Sequence, residues 1–181
     1  MFVNPEVPPD SIPSAEDLDW QPLHPRFARR LRAGALLRIA VLAVVAAAIH
    51  FFATSGGAGP LVRAVAGLLP AMWAAVAAIS AWALLWPTIA VPRRGYVVCE
   101  KDILHRSGVL WRSVKAVPFN RVQHTATDSG PLDRRFGLAN LSVFPAGAGG
   151  HKICGLGADT AEELRVYVSA RIEAESEETA D

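Results

Sequence analysis

Twenty-four residues separate Arg38 from Arg63 and twenty-nine separate Arg63 from Arg93, and neither run holds a charged side chain. About 20 apolar residues rising 1.5 Å each cross a hydrocarbon core of about 30 Å, so each run is long enough to span a bilayer. The stretches ALLRIAVLAVVAAAIHFF and PAMWAAVAAISAWALLW also lack the polar face of a helix lying on a soluble core. Spans are expected at about Leu36–Ala53 and Leu69–Ile89, joined through a glycine-rich turn at Thr54–Pro60. The 181-residue chain is 51% apolar and 19% charged, against about 25% charge in an ordinary soluble domain. That imbalance lies in the two runs and excludes a plain water-soluble enzyme as well as a disordered chain.

Charge is blocked along the sequence. Residues 1–20 carry five acids and no base, residues 21–63 six arginines and no acid, residues 93–158 a net +6, and the stretch from Asp159 a net −6. Arg26, Arg29, Arg30, Arg32 and Arg38 precede the first span and Arg93 and Arg94 follow the second, whereas the connection has Arg63 alone. This bias predicts a hairpin in the cell (plasma) membrane with both termini cytoplasmic. His50 and Ser80 are the polar groups nearest the spans. An interfacial imidazole and a backbone-bonded hydroxyl are favoured over an ion relay, because paired intramembrane charges are lacking. Dense alanines such as Ala43, Ala46, Ala47, Ala74, Ala77 and Ala78 would let helices approach closely, within the hairpin or in a homo-oligomer.

The chain divides into an acidic, Pro-rich flexible lead-in (1–25) without a signal-peptide pattern, the transmembrane hairpin (26–92), a small domain (93–175) and an acidic tail (176–181). In the domain, period-two alternation between turn residues predicts strands at Gly95–Glu100, Ile103–Ser107, Ser113–Phe119, Val122–Thr127, Leu138–Phe144 and His151–Gly155. Asp159 with Glu162 reads as a capping box opening a helix whose stripe Leu164, Tyr167, Val168, Arg171 and Ile172 faces the sheet. The fold class is α+β: a transmembrane hairpin, then an antiparallel β-barrel or sandwich capped by a C-terminal helix.

The segments Tyr96–Val98, Asp102-Ile103, Ser107-Gly108, Val117–Val122, Leu132–Ala139 (LDRRFGLA) and Ile153–Leu156 resemble the bacterial pleckstrin-homology-like (bPH) domain. Two spans immediately before one such domain are similar to the YdbS type of that family, and the likeness covers about residues 25–173. It implies a pleckstrin-homology-like seven-stranded sheet with a C-terminal helix and a membrane-associated role. It implies no reaction.

No constellation in the chain points to chemistry. His105, His124, His151 and Cys154 fit no closed zinc spacing, and Cys99 and Cys154 read as small buried residues. The glycine run at 147–150 lacks the ending of a phosphate loop, and the basic positions lack an aromatic stacking stripe, which argues against nucleic acid. No metal or cofactor is expected, and an enzyme is the least favoured class. A basic domain tethered beside a bilayer lies within reach of anionic headgroups, at about 1 kcal/mol per Lys or Arg. Arg93, Arg94, Arg112 and Lys115 are the candidate lipid-facing cations, with Trp111 at a hairpin tip. Their plainer roles are fixing topology and packing the domain's end. Arg134 and Arg135 lie in a segment that either contacts a ligand or partner, or forms a turn plugging the sheet with Phe136 beside an arginine–carboxylate pair; the structural role weighs more. The leading expectation is a noncatalytic binding or scaffold protein that assembles with another multi-span PH-like membrane protein or with envelope proteins. The alternative is a sensor of anionic headgroups in the lipid bilayer's inner leaflet.

Overall fold

The computed structural model describes residues 18–55, 59, 66–147 and 149–178, with side chains through 174. Two long helices, α1 (Arg26–Thr54) and α2 (Leu69–Ala90), pack against each other. Both are long and apolar enough to cross a membrane, and only 11% of the most apolar stretch of each is buried, so their Leu, Val, Phe and Trp side chains face outward. Trp73 Nε1 donates to His50 Nδ1 at 3.3 Å, tying the helices together, and Ser80 Oγ donates to the Val76 carbonyl at 2.6 Å. Most of the turn expected at Thr54–Pro60 lies outside the described residues.

The first helix begins ten residues before the expected span. Phe27, Leu31 and Ala35 recur at i, i+4 and i+8, forming a short apolar face among the arginines. Phe27 and Leu31 pack on the domain's core, Ala35 is buried a turn further on, and the apolar run continues from Leu36. Upstream, residues 21–25, read from composition as lead-in, belong to the domain. Gln21–Pro22 (β1) pair with Tyr96 and Gly95, and Leu23 is buried. A two-residue strand has no periodicity to read, and proline is tolerated because the strand lies at a sheet edge. Residues 1–17 of the lead-in are not described.

After a 3-10 turn at Val91–Arg93 come β2 (Gly95–Val98), β3 (Asp102–Ser107) and β4 (Ser113–Pro118), which extend one sheet in the order β1-β2-β3-β4. The second sheet holds β5 (Val122–Asp128), β6 (Leu138–Pro145) and β7 (His151–Gly157), with the short helix α3 (Pro131–Arg135) between β5 and β6. The sheets stay separate, so the domain is a sandwich of two antiparallel sheets and not a closed barrel. Its core includes Ile103, Val117, Phe119, Leu141, Val143 and Ile153. β6 is buried without interruption from Leu138 to Val143, because it is the central strand of its sheet.

The last helix, α4 (Ala158–Glu178), lays Ala161 and Val168, fully buried, and the partly buried Leu164 and Ile172 on the core. Tyr167 and Arg171, expected on that stripe, lie outside it. Arg171 Nε donates to the Tyr167 hydroxyl at 3.2 Å, a pairing that keeps both polar ends in water. Glu162 does not close a capping box. Both its oxygens accept from Arg165, at 2.6 and 3.0 Å, a charge-assisted pair one turn away. The acidic tail expected from residue 176 is helical through Glu178.

Candidate anion site at the membrane end

β2 starts one residue beyond the turn that ends the second apolar helix, so the chain enters the sheet at its membrane end. β3 runs antiparallel to β2 with Gly95 opposite Arg106, and β4 returns with Ser107 opposite Ser113. The hairpin between them therefore extends past the start of β2, toward the end at which the helices leave. Its tip is apolar and uncovered, with Leu110 81% and Trp111 90% exposed. Gly108 makes the hairpin possible: its φ is +109° and a Cβ there would stand 1.7 Å from the Trp111 carbonyl oxygen.

Beneath this tip lies a cavity of about 360 Å³ whose lining includes Trp20, Pro92, Arg93, Arg106, Arg112 and Val114. Arg93 Nη1 donates to the Ile89 carbonyl at 2.8 Å, closing the carboxyl end of α2. The Arg106 guanidinium stands 4.8 Å from the Trp20 ring centroid, and its Nε is buried without a hydrogen-bond partner. Among the described residues none of the three arginines forms a salt bridge. Three guanidinium groups around one cavity, with no carboxylate among the described residues to neutralise them, give a site that can take an oxyanion through charge-assisted hydrogen bonds. Arg106 and Trp20 escape sequence reasoning as site residues. The only local signal is that Arg106 and Arg112 flank the same turn, and Trp20 arrives from beyond the first span.

The structure brings Arg93 and Arg112 together at the cavity, with Trp111 at the tip beside it, and sends the other expected residues elsewhere. Arg94 and Lys115 lie toward the inner face of the first sheet, where both act electrostatically on His105. The imidazole of His105 is held from its usual 6.5 down to about 4, first by burial and then by the positive fields of His151, Arg94 and Lys115. His151 is lowered by burial and by Lys115. Burial raises the Cys154 thiol. No three His, Cys, Asp or Glu side chains among the described residues form a metal-ligand set. Arg134 and Arg135 are exposed on α3, away from the cavity, and Arg134 Nη1 donates to the Ser129 carbonyl at 3.2 Å.

The segment around α3 joins the domain to the first helix. Phe136 packs against the core and Gly137 has φ +66°. The buried Asp133 takes Arg30 of α1 as its partner, with Nε at 2.6 Å from Oδ1 and Nη2 at 3.2 Å from Oδ2, and also accepts from the Gly130 backbone N–H. The expected arginine–carboxylate pair is therefore present, but its arginine comes from the first helix. Nearby, the His24 N–H donates to the Gly155 carbonyl at 2.9 Å and Phe27 lies flat on Gly155, whose φ is +83°. These contacts fix the domain's attitude to the two apolar helices.

A family model described as Bacterial PH domain matches residues 33–172. The UPF0699 transmembrane protein YdbS of Bacillus subtilis (strain 168) is 30% identical over 105 residues, covering 58% of this chain and 64% of that protein. The match thus spans less than two thirds of the relative's length. No solved structure matches the chain.

Proposed function

The chain belongs to the bacterial PH domain family, and we propose that it is a noncatalytic, membrane-anchored binding module whose membrane-end cavity engages anionic lipid headgroups of the inner leaflet. One observation carries this reading: Arg93, Arg106 and Arg112, unneutralised by any carboxylate among the described residues, share a cavity beside the almost fully exposed Trp111. A headgroup phosphate supplies the missing negative charge, and the Leu110-Trp111 tip rests where an apolar ring with a polar edge is favoured. The two spans hold the domain within a Debye length of that surface, about 8 Å at physiological ionic strength.

The test compares hydrogen exchange of residues 106–114 in the full chain, in nanodiscs of phosphatidylcholine and of phosphatidylcholine with phosphatidylglycerol. Slower exchange in the anionic discs, reversed by salt and by Arg112→Glu, supports the reading. Equal exchange in both lipids defeats it.

Assembly with another membrane or envelope protein, whether a multi-span PH-like protein or a second copy, is the other reading. What favours it is an exposed apolar spot on α4, Val166 and Tyr167, rimmed by Asp159, Glu162 and Glu163. Co-purification in mild detergent of a second membrane protein that resists raised salt and is lost with Val166→Glu would support assembly.

A further inference from the structure

Consecutive arginines part company at the start of β2. Arg93 lines the membrane-end cavity, whereas Arg94, two residues before the buried Tyr96, shares that residue's face of the strand. Tyr96, His105 and Lys115 stand directly across from one another on β2, β3 and β4, so they form one row along the inner side of the sheet. From the opposing sheet His151, first residue of β7, brings its ring to 5.3 Å from that of His105, centroid to centroid, at a 60° tilt. Four nitrogen groups from four separate parts of the chain thus converge where the two sheets face each other. Among the described residues none of them forms a salt bridge, and the buried His151 Nε2 has no hydrogen-bond partner. Lys115 is exposed on the edge strand, so the cluster is open to solvent on that side.

We propose that Arg94, His105, Lys115 and His151 form a second site, separate from the arginine cavity, that takes a phosphate-type oxyanion at the open edge between the two sheets. A tetrahedral phosphate has oxygens for donors arriving from several directions, as these do, and it carries between about one and two negative charges near neutral pH. With the cluster unoccupied, burial first and then the crowding of positive groups weaken proton binding at both imidazoles. An anion among them offsets that repulsion, so its binding draws protons onto His105 and His151. The two sites are independent, since no residue lines both.

The experiment follows the histidine ring signals of the full-length, nitrogen-15-labelled chain by NMR across pH. One arm uses phosphatidylcholine nanodiscs with and without inorganic phosphate; the other uses phosphatidic acid nanodiscs without phosphate. The expected result is an upward move of the His105 titration midpoint by about one pH unit or more, lost in the Arg94→Ala/Lys115→Ala double variant and retained in Arg112→Glu. A move with free phosphate identifies a soluble phosphorylated ligand; a move confined to phosphatidic acid identifies a headgroup. No move in either arm, or a move that persists in the double variant, overturns the site. Loss of headgroup protection at residues 106–114 in Arg112→Glu, with this shift intact, tells failure of one site from failure of the other.

Discussion

Gly155 shows how one residue decides whether the domain can sit on its anchor. An added Cβ would lie 2.3 Å from Phe27 Cγ, at a φ of +83° that other residues resist. Gly155→Ala should cost about 1–2 kcal/mol for the dihedral and about 1–3 kcal/mol for the overlap, read as a lowered thermal midpoint in nanodiscs. In a Phe27→Ala background, which itself loses a buried ring at about 3–5 kcal/mol, the additional cost of Gly155→Ala should shrink to the dihedral part. Asp133→Ala strands the Arg30 guanidinium and should cost about 1–3 kcal/mol by the same measurement. The titratable residues give a pH signature of definite sign. His105 binds its proton more weakly folded than unfolded, so its contribution to stability is whole above pH 6.5 and is lost as pH falls toward about 4. Asp128 is held below its usual range chiefly by its hydrogen bond to Lys152, so its contribution too fades in acid, below the ordinary carboxylate value. The thermal midpoint should therefore drop between pH 6.5 and 4, and His105→Asn should flatten that drop.

At the scale of elements, all six expected strands are present to within a residue or two, because alternation and turn residues are local signals. The first helix resisted reading at its start, where three apolar positions among five arginines look like a charged flank until the surface they cover is known. The partner of Asp133 lies 103 residues away, and no local pattern reports such a distance. Part of the arginine cavity was legible for the opposite reason: Arg93 and Arg112 stand beside a span end and a hairpin turn, both visible in the sequence. Between the two apolar helices, the hydrogen bond from Trp73 to His50 is a link that Trp73→Phe would remove. The expected loss is about 1 kcal/mol of helix association, the usual size of such bonds in membranes, measurable by forster-transfer or steric-trap unfolding of the hairpin.

For the whole molecule the distribution of arginine is the guide. Seven arginines flank the outer ends of the two spans and one lies in their connection, so a fluorescent protein fused after Asp181 should glow in intact cells, and alkaline phosphatase fused there should be inactive. Active phosphatase would place the domain on the far side, beyond the reach of the inner leaflet. The first helix is continuous from Phe27, under the sandwich, to Thr54 at the far end of the span. No hinge interrupts it among the described residues, and Arg30 and His24 bolt its near end to the sandwich. A change in bilayer thickness that alters the tilt of this helix must therefore swing the sandwich by the same angle, lifting or lowering the Trp111 tip as a lever moves its far arm.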